Sequence, residues 1–496
     1  MLLTDELLFR YKRCRRRAFL DVYDSLTTVR EEKDFLGILR EERELHSQKA
    51  LQYYNLEAEK PRLRGERDNK KLAAITTQLM SQGVNGIYQG VVSVDMPDKG
   101  GNSVTLMASP TLLVKQNIPS RWGNWSYFPV NASLGRNPKP EYKLILAFVV
   151  DILNRLQGVN ITRGEIFLKD NLSPHPVDLG IWLPRARELV NECLEMLRNK
   201  EIPDVYISRQ RCSFCPWYDG CYQVAKSSLN LSLIPGITPN RYQLLVSNGI
   251  RNLETLCQTP LSRLREIFAA EGEVAARIKQ QAISILSGKP ILRQPNLLPL
   301  PQSPVEIYFD IEADTRRNVD YLLGVLWVDN DNMSQQYHTF LAKSPEKEKS
   351  IWRDFLHFIQ QYPHAPIFHY SEYEVETVKR LASFYNTPAS QLQSLLSRLF
   401  DLHKILTHSF FLPVENYSLK SVANYLGFHW RNPKTGSNSY TRAPIGGDQC
   451  IVWYDQWLKT KDPFWLNCIK IYNEDDCLAT YYLKKWIADF QTEWGF

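Results

Sequence analysis

"VEIYFDIEAD", residues 305–314, is the stretch that decides the fold of the C-terminal part of this chain. Its richness in β-forming residues predicts a strand. Asp310 and Glu312 are two positions apart, and on a strand both side chains point to the same face. Two carboxylates on a face preceded by apolar residues are costly to bury unless a cation offsets their charge. The sequence therefore predicts a cation site on this strand.

The segments after this strand extend it into an α/β domain. "YLLGVLWV" and "QQYHTFLA" predict further strands, a helix comes next, "PIFHYS" predicts another strand, and helical patterns continue to the end. Strands first, with crossover helices after them, are typical of an α/β domain. The predicted domain spans residues 305–496.

Two later segments supply further candidate site residues. "YSEYEVETVKRLA" begins a helix directly after "PIFHY", with Glu374 near its N-terminus. "IYNEDDCLATYYL" places Tyr472 and Asp476 four positions apart, which is one face of a helix. A phenol one turn from a carboxylate is suited to orienting a water molecule beside a metal ligand. His369, at the end of "IFHY", is a candidate substrate contact, although a lone histidine at a strand end is more often structural.

This set of residues resembles the DEDD exonucleases of the RNase H-like superfamily, in the version with tyrosine in the last motif. The segments "DLHKIL" (401–406) and "YSLKSVANYLGF" (417–428) are similar to the middle part of a bacterial branch with a "YN..D" motif. The resemblance implies a nuclease of the 3′–5′ exonuclease type that uses two Mg²⁺ or Mn²⁺ ions. The implied metal ligands are Asp310, Glu312, Glu374 and Asp476, with Tyr472 holding the attacking water.

Two positions depart from that family's pattern. The second-motif acid is usually aspartate, and here it is Glu374, which is one methylene longer. Asp475 adjoins Asp476, so the choice of Asp476 as the ligand depends on the spacing from Tyr472.

Composition limits the class of protein. The chain has 496 residues, of which 44% are hydrophobic and 23% charged, so several globular domains are expected. The N-terminus does not have the pattern of a signal peptide, and the longest apolar run, "LILAFVV" (144–150), is too short to span a bilayer. A cytoplasmic protein without a membrane segment is therefore expected, and its nine cysteines are expected to be free thiols or metal ligands.

The chain divides into four segments by pattern. Residues 1–227 combine helices, alternating strands and two helices predicted at 141–157 and 179–199, which is mixed α/β. Residues 228–290 are predicted to be helical. Residues 291–304, the end of "KPILRQPNLLPLPQSP", are proline-rich and are predicted to be an extended linker to residues 305–496.

"RCSFCPWYDGCY", residues 211–222, holds three closely spaced cysteines. Upstream of it the chain has only Cys14 and Cys193, and Cys193 lies on an apolar helix stripe that predicts a core position. This pattern resembles the iron–sulfur nucleases of the RecB-like PD-(D/E)XK superfamily. The resemblance implies that a 4Fe–4S cluster joins the ends of the domain, and four thiolates also suit Zn²⁺, which is the alternative. The implied cluster ligands are Cys14, Cys212, Cys215 and Cys221.

The nuclease motif of the RecB-like family is degenerate in this chain. Thr111 stands where the family has aspartate, and Asn131 and Ser133 stand at the acid and lysine positions of the next strand. His46 is interpreted either as a relic of the family's N-terminal motif or as a surface helix residue. The N-terminal domain is therefore expected to be an inactive nuclease fold that serves as a platform.

Two further features suggest contact with nucleic acid. "IPGITPNRYQLLVSNGIRNLETL" (234–256) resembles a helix-hairpin-helix unit, in which Gly236 and Gly249 would make phosphate-gripping turns, although a plain helical bundle also uses such glycines. "RYKRCRRR" (10–17) is either a solvated helix face or a phosphate-facing surface. The candidate contacts in it are Arg13, Arg15 and Arg16.

The order of these parts resembles a bacterial family of RecB-like nucleases that carry a C-terminal RNase H-like domain. A metal-dependent exonuclease acting on DNA or RNA is the leading hypothesis. The rival hypothesis is a non-catalytic nucleic-acid-binding or scaffold protein that partners a helicase.

Overall fold

The computed structural model describes residues 1–24, 32–61, 68–97, 100–171, 173–269, 271–293, 300–435 and 446–493. The chain forms two compact units, residues 1–223 and 224–496. The second unit contains both the predicted middle block and the predicted C-terminal domain. Within the described residues, no helix is long and apolar enough to cross a membrane.

The first unit is mixed α/β, with two sheets and helices around them. Its strands are β1 Leu2–Thr4, β2 Ala58–Glu59, β3 Gly86–Tyr88, β4 Val92–Pro97, β5 Ser103–Ala108, β6 Leu112–Gln116, β7 Ser126–Ser133, β8 Glu165–Leu168 and β9 His175–Pro176. Its helices are α1 Asp5–Arg13, α2 Arg15–Tyr23, α3 Asp34–Tyr53, α4 Asn69–Gln82, α5 Pro140–Gln157, α6 Leu179–Asn199, α7 Arg209–Cys212 and α8 Tyr218–Ser227, the last of which continues into the second unit.

The larger sheet of this unit has the order β2-β3-β6-β7-β8-β9, and the smaller one has the order β1-β5-β4. Helix α5 lies in the centre of the core, because the run Leu144–Leu153 is buried along its whole length. A helix that is apolar all round is expected in a core rather than at a surface. Both α5 and α6 fall where the periodicity predicts helices, and Cys193 on α6 is fully buried.

The second unit begins with the helices α9 Pro239–Ser247, α10 Leu253–Gln258, α11 Leu261–Ile267 and α12 Gly272–Ser287. Gly236 precedes α9 and Gly249 separates α9 from α10, with φ of 88° and 81°. Such positive φ angles favour glycine, because a Cβ is strained in this region. Both candidate glycines therefore lie at turns, as helix-hairpin-helix units and plain helical turns both require.

The proline-rich segment is attached to this second unit. Its first residues form strand β10, Ile291–Leu292, which pairs antiparallel with β16, Phe410–Phe411. Leu300 is buried in the same hydrophobic cluster as Phe410. Residues 294–299 lie outside the described part of the chain. The described ends of the predicted linker are therefore packed rather than free.

The remaining elements form the C-terminal α/β domain. Its strands are β11 Val305–Asp314, β12 Val319–Asp329, β13 Ser334–Leu341, β14 Ile367–His369, β15 Leu399–Asp401 and β16. Its helices are α13 Glu348–Gln360, α14 Glu372–Phe384, α15 Ala389–Leu396, α16 Leu402–Ser409, α17 Leu419–Tyr425, α18 Gly447–Thr460 and α19 Pro463–Glu493.

Strand β11 is the centre of a five-stranded sheet with the order β13-β12-β11-β14-β15. It pairs antiparallel with β12 and parallel with β14. Its odd-numbered residues, such as Phe309, pack against α13, where the Phe309 and Phe355 rings stack 4.9 Å apart. Its even-numbered residues face α19, where the Tyr308 and Tyr481 rings meet edge to face at 5.1 Å. This alternation presents Asp310 and Glu312 to the last helix of the chain.

Candidate metal centre

Three carboxylates converge where β11 meets α19. Ligand oxygens of Asp310, Glu312 and Asp476 all lie within 4.8 Å of one another. Among the described residues, no other group of three or more histidine, cysteine or acidic side chains is compact enough to hold a metal ion. The pleat of β11 supplies two of the acids, and one turn of α19 supplies the third. Residues 166 positions apart in sequence, Asp310 and Asp476, are thus brought together by the fold.

The electrostatics of this group show an excess of negative charge. Burial raises the pKa of Asp310 well above its usual value, and the charges of Asp476, Glu312 and Glu374 raise it further. Burial is also the main cause that raises the pKa of Glu312, and the charge of Asp476 is the second. Burial raises the pKa of Asp476 to about 6. Crowded, buried carboxylates of this kind resist ionisation unless a cation balances them.

Neutral side chains hold two of these carboxylates in place. The Nδ2 of Asn473 donates to Oδ2 of Asp310 at 2.6 Å, and the Tyr337 hydroxyl donates to Oδ1 of Asn473 at 2.7 Å. A Cβ at position 324 would lie 1.6 Å from Oδ1 of Asn473, so Gly324 makes room for this amide. The sequence interpretation did not assign a role to Asn473, although it lies inside the quoted "IYNEDD" segment.

Trp430 orients the third carboxylate. Its indole Nε1 donates to Oδ1 of Asp476 at 2.7 Å. Trp430 lies in the loop after α17, and no periodicity or spacing links it to α19. Only the structure could identify this contact.

The two adjacent aspartates of α19 have different partners. Asp475 accepts from the backbone N–H and from Nε of Arg431, both at 2.7 Å. Arg431 also donates to Glu474 at 2.7 Å. Asp475 is therefore paired with a guanidinium, whereas Asp476, the candidate ligand, joins the carboxylate group.

Glu374 lies beside the compact group but outside it. Its Oε2 accepts from the Ser371 hydroxyl at 2.8 Å and is 3.6 Å from Nδ1 of His369. Both Glu374 and His369 are buried, at 4% and 0% exposure. His369 thus adjoins a candidate ligand rather than open solvent. The effect of Glu374 on the pKa of Asp310 shows that its charge reaches the site.

Tyr472 lies against the site with only 4% of its surface exposed. Burial raises the pKa of its phenol well above the usual value, so the hydroxyl stays protonated. Its hydrogen bonding lowers the pKa of Asp476. The Tyr472 hydroxyl is therefore a hydrogen-bond donor at this site.

Lys420, on α17, is a charged neighbour that the sequence interpretation missed. Its Nζ lies 4.5 Å from the centre of the Tyr472 ring. The charge of Lys420 lowers the pKa of both Glu312 and Asp476. The quoted segment "YSLKSVANYLGF" contains this lysine, but one lysine on a short helix gives no signal of its own.

Of the three residues of the predicted degenerate motif, Thr111 directly precedes β6, and Asn131 and Ser133 lie on β7. The backbone N–H of Ala132 donates to the Thr111 hydroxyl at 2.9 Å. Oδ1 of Asn131 is buried and has no hydrogen-bond partner in the described part of the chain. Ser133 ends β7, next to the parallel strand β8. No carboxylate-rich centre comparable to the one on β11 is found here among the described residues.

The position of His46 in the structure contradicts one of its two interpretations. It is 7% exposed, and its Nε2 is 3.0 Å from the carbonyl oxygen of Phe167. The interpretation as a surface residue is therefore wrong, because α3 packs this face on the sheet.

The four candidate cysteines influence one another. Burial raises the pKa of Cys212, Cys215 and Cys221, and the neighbouring Cys14 adds to each shift. The backbone N–H of Arg17 donates to Sγ of Cys14 at 3.4 Å, and that of Ser208 donates to Sγ of Cys212 at 3.3 Å. However, these thiols do not form a group within 4.8 Å. They lie near one another without close packing.

The basic run is partly engaged within its own unit. Arg15 donates to Glu192 at 2.8 Å, and Arg16 donates to the carbonyl of Pro203 at 2.7 Å. The guanidinium of Arg13 lies 5.5 Å from the centre of the Phe9 ring. Arg15 and Arg16 therefore help to hold the fold, and contact of this run with nucleic acid remains a prediction.

Comparison with known proteins finds a family match within the second unit. Residues 307–488 match the model of RNase_H_2, within the RNase_H superfamily. Among solved structures, the crystal structure of SSO0001 aligns with 44% of this chain and 83% of that chain, at 11% identity and a TM-score of 0.23. The comparison with curated proteins found no match.

The family match covers β11 through most of α19, and it therefore contains the three converging carboxylates. Domains of this kind generally use divalent metals, for which carboxylate oxygens are suitable ligands. Residues 307–488 form an RNase H-like domain, which indicates a nuclease-type function.

Proposed function

We propose that this protein is a metal-dependent exonuclease of the 3′–5′ type, which hydrolyses phosphodiester bonds of DNA or RNA through its C-terminal domain. The observation that carries the proposal is the group of Asp310, Glu312 and Asp476, whose oxygens lie within 4.8 Å of one another. Structural ion pairs do not explain this group, because its members raise rather than lower one another's pKa.

The donor set fits hard divalent cations. Asp310, Glu312 and Asp476 offer only carboxylate oxygens, which suit Mg²⁺ and Mn²⁺. Glu374, as a fourth carboxylate beside Asp310, would complete the set. Two such ions, when bound, activate a water molecule and neutralise the charge of the leaving oxygen.

The surrounding side chains have positioning roles. Asn473 fixes one oxygen of Asp310, and Trp430 fixes one oxygen of Asp476. Hydrogen bonds of this kind orient metal ligands and tune their basicity. The protonated Tyr472 hydroxyl, which is hydrogen-bonded to Asp476, would act as a hydrogen-bond donor to the attacking water once a metal ion occupies that carboxylate, and not as a base.

The test is cleavage of end-labelled single- and double-stranded DNA and RNA by the purified protein in Mg²⁺ or Mn²⁺. The expected result is metal-dependent shortening from the 3′ end that EDTA stops. Asp310→Asn should lose this activity, whereas Asp331→Ala, at an exposed acid of the same domain, should keep it. Cleavage by the Asp310→Asn protein at the wild-type rate would show that another site is responsible.

One observation favours the rival function. Glu374 is hydrogen-bonded to Ser371 and lies outside the compact group, so the fourth ligand is less well placed than the other three. A protein that binds nucleic acid tightly but cleaves none of the tested substrates would be a binding or scaffold protein, and a helicase would then be the partner to look for.

We further propose that Cys14, Cys212, Cys215 and Cys221 hold a 4Fe–4S cluster that makes the N-terminal unit a substrate platform. Tetrahedral zinc requires sulfur atoms about 3.8 Å apart, given Zn–S bonds of about 2.3 Å. No three of the described cysteine sulfur atoms lie within 4.8 Å of one another, so the proposal rests on the cysteine spacing and on the influence of Cys14 on the pKa of the other three thiols. Protein purified without oxygen should be brown, with about four irons per chain. Cys14→Ala should lose the colour, and stoichiometric zinc instead of iron would refute the cluster.

A further inference from the structure

Lys420 has a buried charge without a conventional partner. It lies in the first turn of α17, and its Nζ is buried with no hydrogen-bond partner in the described part of the chain. Burial lowers the pKa of this ammonium, while Asp476 and Glu312 act in the opposite direction. A buried, unpaired cation is costly, so its surroundings must supply the compensation.

Two aromatic rings and two carboxylates supply that compensation. Nζ of Lys420 lies 4.5 Å from the centre of the Tyr472 ring and 5.7 Å from the Trp430 ring. Both distances are within the range of cation–π attraction. Both rings belong to residues that bond to Asp476. The aromatic rings therefore hold the ammonium at the edge of the carboxylate group without a direct ion pair.

The charges of the site suggest why a cation is kept there. The four carboxylates of Asp310, Glu312, Glu374 and Asp476 carry four negative charges, which two divalent ions balance. Lys420 then leaves one positive charge in excess. The scissile phosphodiester group carries one negative charge at neutral pH, so a site that contains all of these groups is neutral. Neutrality matters because uncompensated charge in a buried site is strongly disfavoured.

We propose that Lys420 supplies the positive charge that balances the scissile phosphodiester across the site, held on Tyr472 and Trp430 instead of being neutralised in an ion pair. This inference rests on the proposed nuclease function. It gives the ammonium two opposite effects. Lys420 repels the metal ions, which weakens their binding, and it attracts the phosphodiester, which strengthens substrate binding. A purely structural lysine would not separate these two affinities.

The experiment compares wild type with Lys420→Met, Lys420→Gln and Lys420→Arg in two measurements that do not require cleavage. The first is Mn²⁺ binding followed by electron paramagnetic resonance. The second is binding of a labelled single-stranded oligonucleotide in Ca²⁺, followed by fluorescence anisotropy. Lys485→Met is the matched control, because Lys485 is an exposed lysine on α19.

For Lys420→Met and Lys420→Gln we expect Mn²⁺ to bind about tenfold more tightly, because the change removes the Coulomb repulsion between a unit positive charge and a nearby divalent cation. We expect the oligonucleotide to bind about tenfold more weakly. Lys420→Arg should stay close to wild type in both, since it keeps the charge and stacks on aromatic rings.

The proposal is overturned if folded Met and Gln variants lose both affinities or change neither, because Lys420 would then be structural. It is also overturned if neither variant folds, as judged by circular dichroism. Opposite shifts in a protein that cleaves no substrate would reject the proposed nuclease function, and would keep only the attraction between the Lys420 charge and a bound phosphodiester.

Discussion

The two units place different chemistry on pairs of strand residues that have the same spacing. In the first unit, β7 carries Asn131 and Ser133 two positions apart, and in the second, β11 carries Asp310 and Glu312 with the same spacing. Oδ1 of Asn131 is buried without a hydrogen-bond partner among the described residues. Asp310, in contrast, accepts from Asn473 and faces two other carboxylates of its group.

The difference shows what a buried acidic pair requires. A neutral pair can be buried at modest cost, whereas ionised carboxylates need hydrogen bonds and counter-charges. In the second unit Asn473, Trp430 and Lys420 meet that need. A candidate metal site is thus recognised by its supporting shell as well as by its ligands.

Removing a ligand tests the comparison most severely. Asp310→Ala and Asp476→Ala should each lower kcat/KM by about a thousandfold or more, which corresponds to about 4 kcal/mol of barrier. In EDTA the same variants should unfold at a higher temperature than wild type, because each removes a repelling buried charge. Cleavage assays and thermal unfolding check these opposite effects, and a loss of activity accompanied by a lower unfolding temperature would contradict the metal-ligand assignment.

Removing a supporting side chain should have a smaller effect. Asn473→Ala leaves Asp310 without its 2.6 Å hydrogen bond and should lower Mn²⁺ affinity or activity by about 10- to 100-fold. The matched change in the first unit, Asn131→Ala, should leave both unchanged. Isothermal titration with Mn²⁺ measures the affinity, and an Asn473→Ala protein equal to wild type would show that Asn473 has no supporting role.

Stability and Mn²⁺ affinity should depend on pH through the buried carboxylates of the second unit. Burial raises the pKa of Asp476 from its usual value of 3.8 to about 6 in the folded, metal-free protein. The folded state therefore binds this proton more tightly than the unfolded state, so metal-free stability should fall as pH rises from about 4 to about 6. Mn²⁺ affinity should instead fall as the pH is lowered below about 6, because protons then compete with the metal ion for the carboxylate oxygens. Mn²⁺ titrations between pH 5 and 8 would reject this if the affinity stayed constant.

The smallest effect is expected in the first unit, whose described residues contain no comparable group of carboxylates. Thr111→Asp, in a protein that already carries Asp310→Ala and Asp476→Ala, should restore no cleavage, since Ser133 still stands at the lysine position. Metal-dependent cleavage by this triple variant would show that the N-terminal motif is more than a remnant.

Local patterns predicted much of the fold. The helices α5 and α6 begin and end within one residue of the segments predicted from periodicity. The comparison confirms the RNase H-like domain that the strand 305–314 and the later motifs predicted. The described ends of the proline-rich segment are packed because Ile291 and Leu292 find an edge partner in β16, which lies more than a hundred residues later. No local pattern contains that information.

The sequence by itself determined which acids share a face, because the two-residue repeat of a strand and the four-residue turn of a helix are local geometry. That applies to Asp310 with Glu312, and to Tyr472 with Asp476. Only the tertiary structure decided that Asp475 pairs with Arg431 and that Trp430, Asn473 and Lys420 surround the carboxylates. These contacts join separate elements, so they depend on how β11, α17 and α19 pack, and packing has no period that a sequence can show.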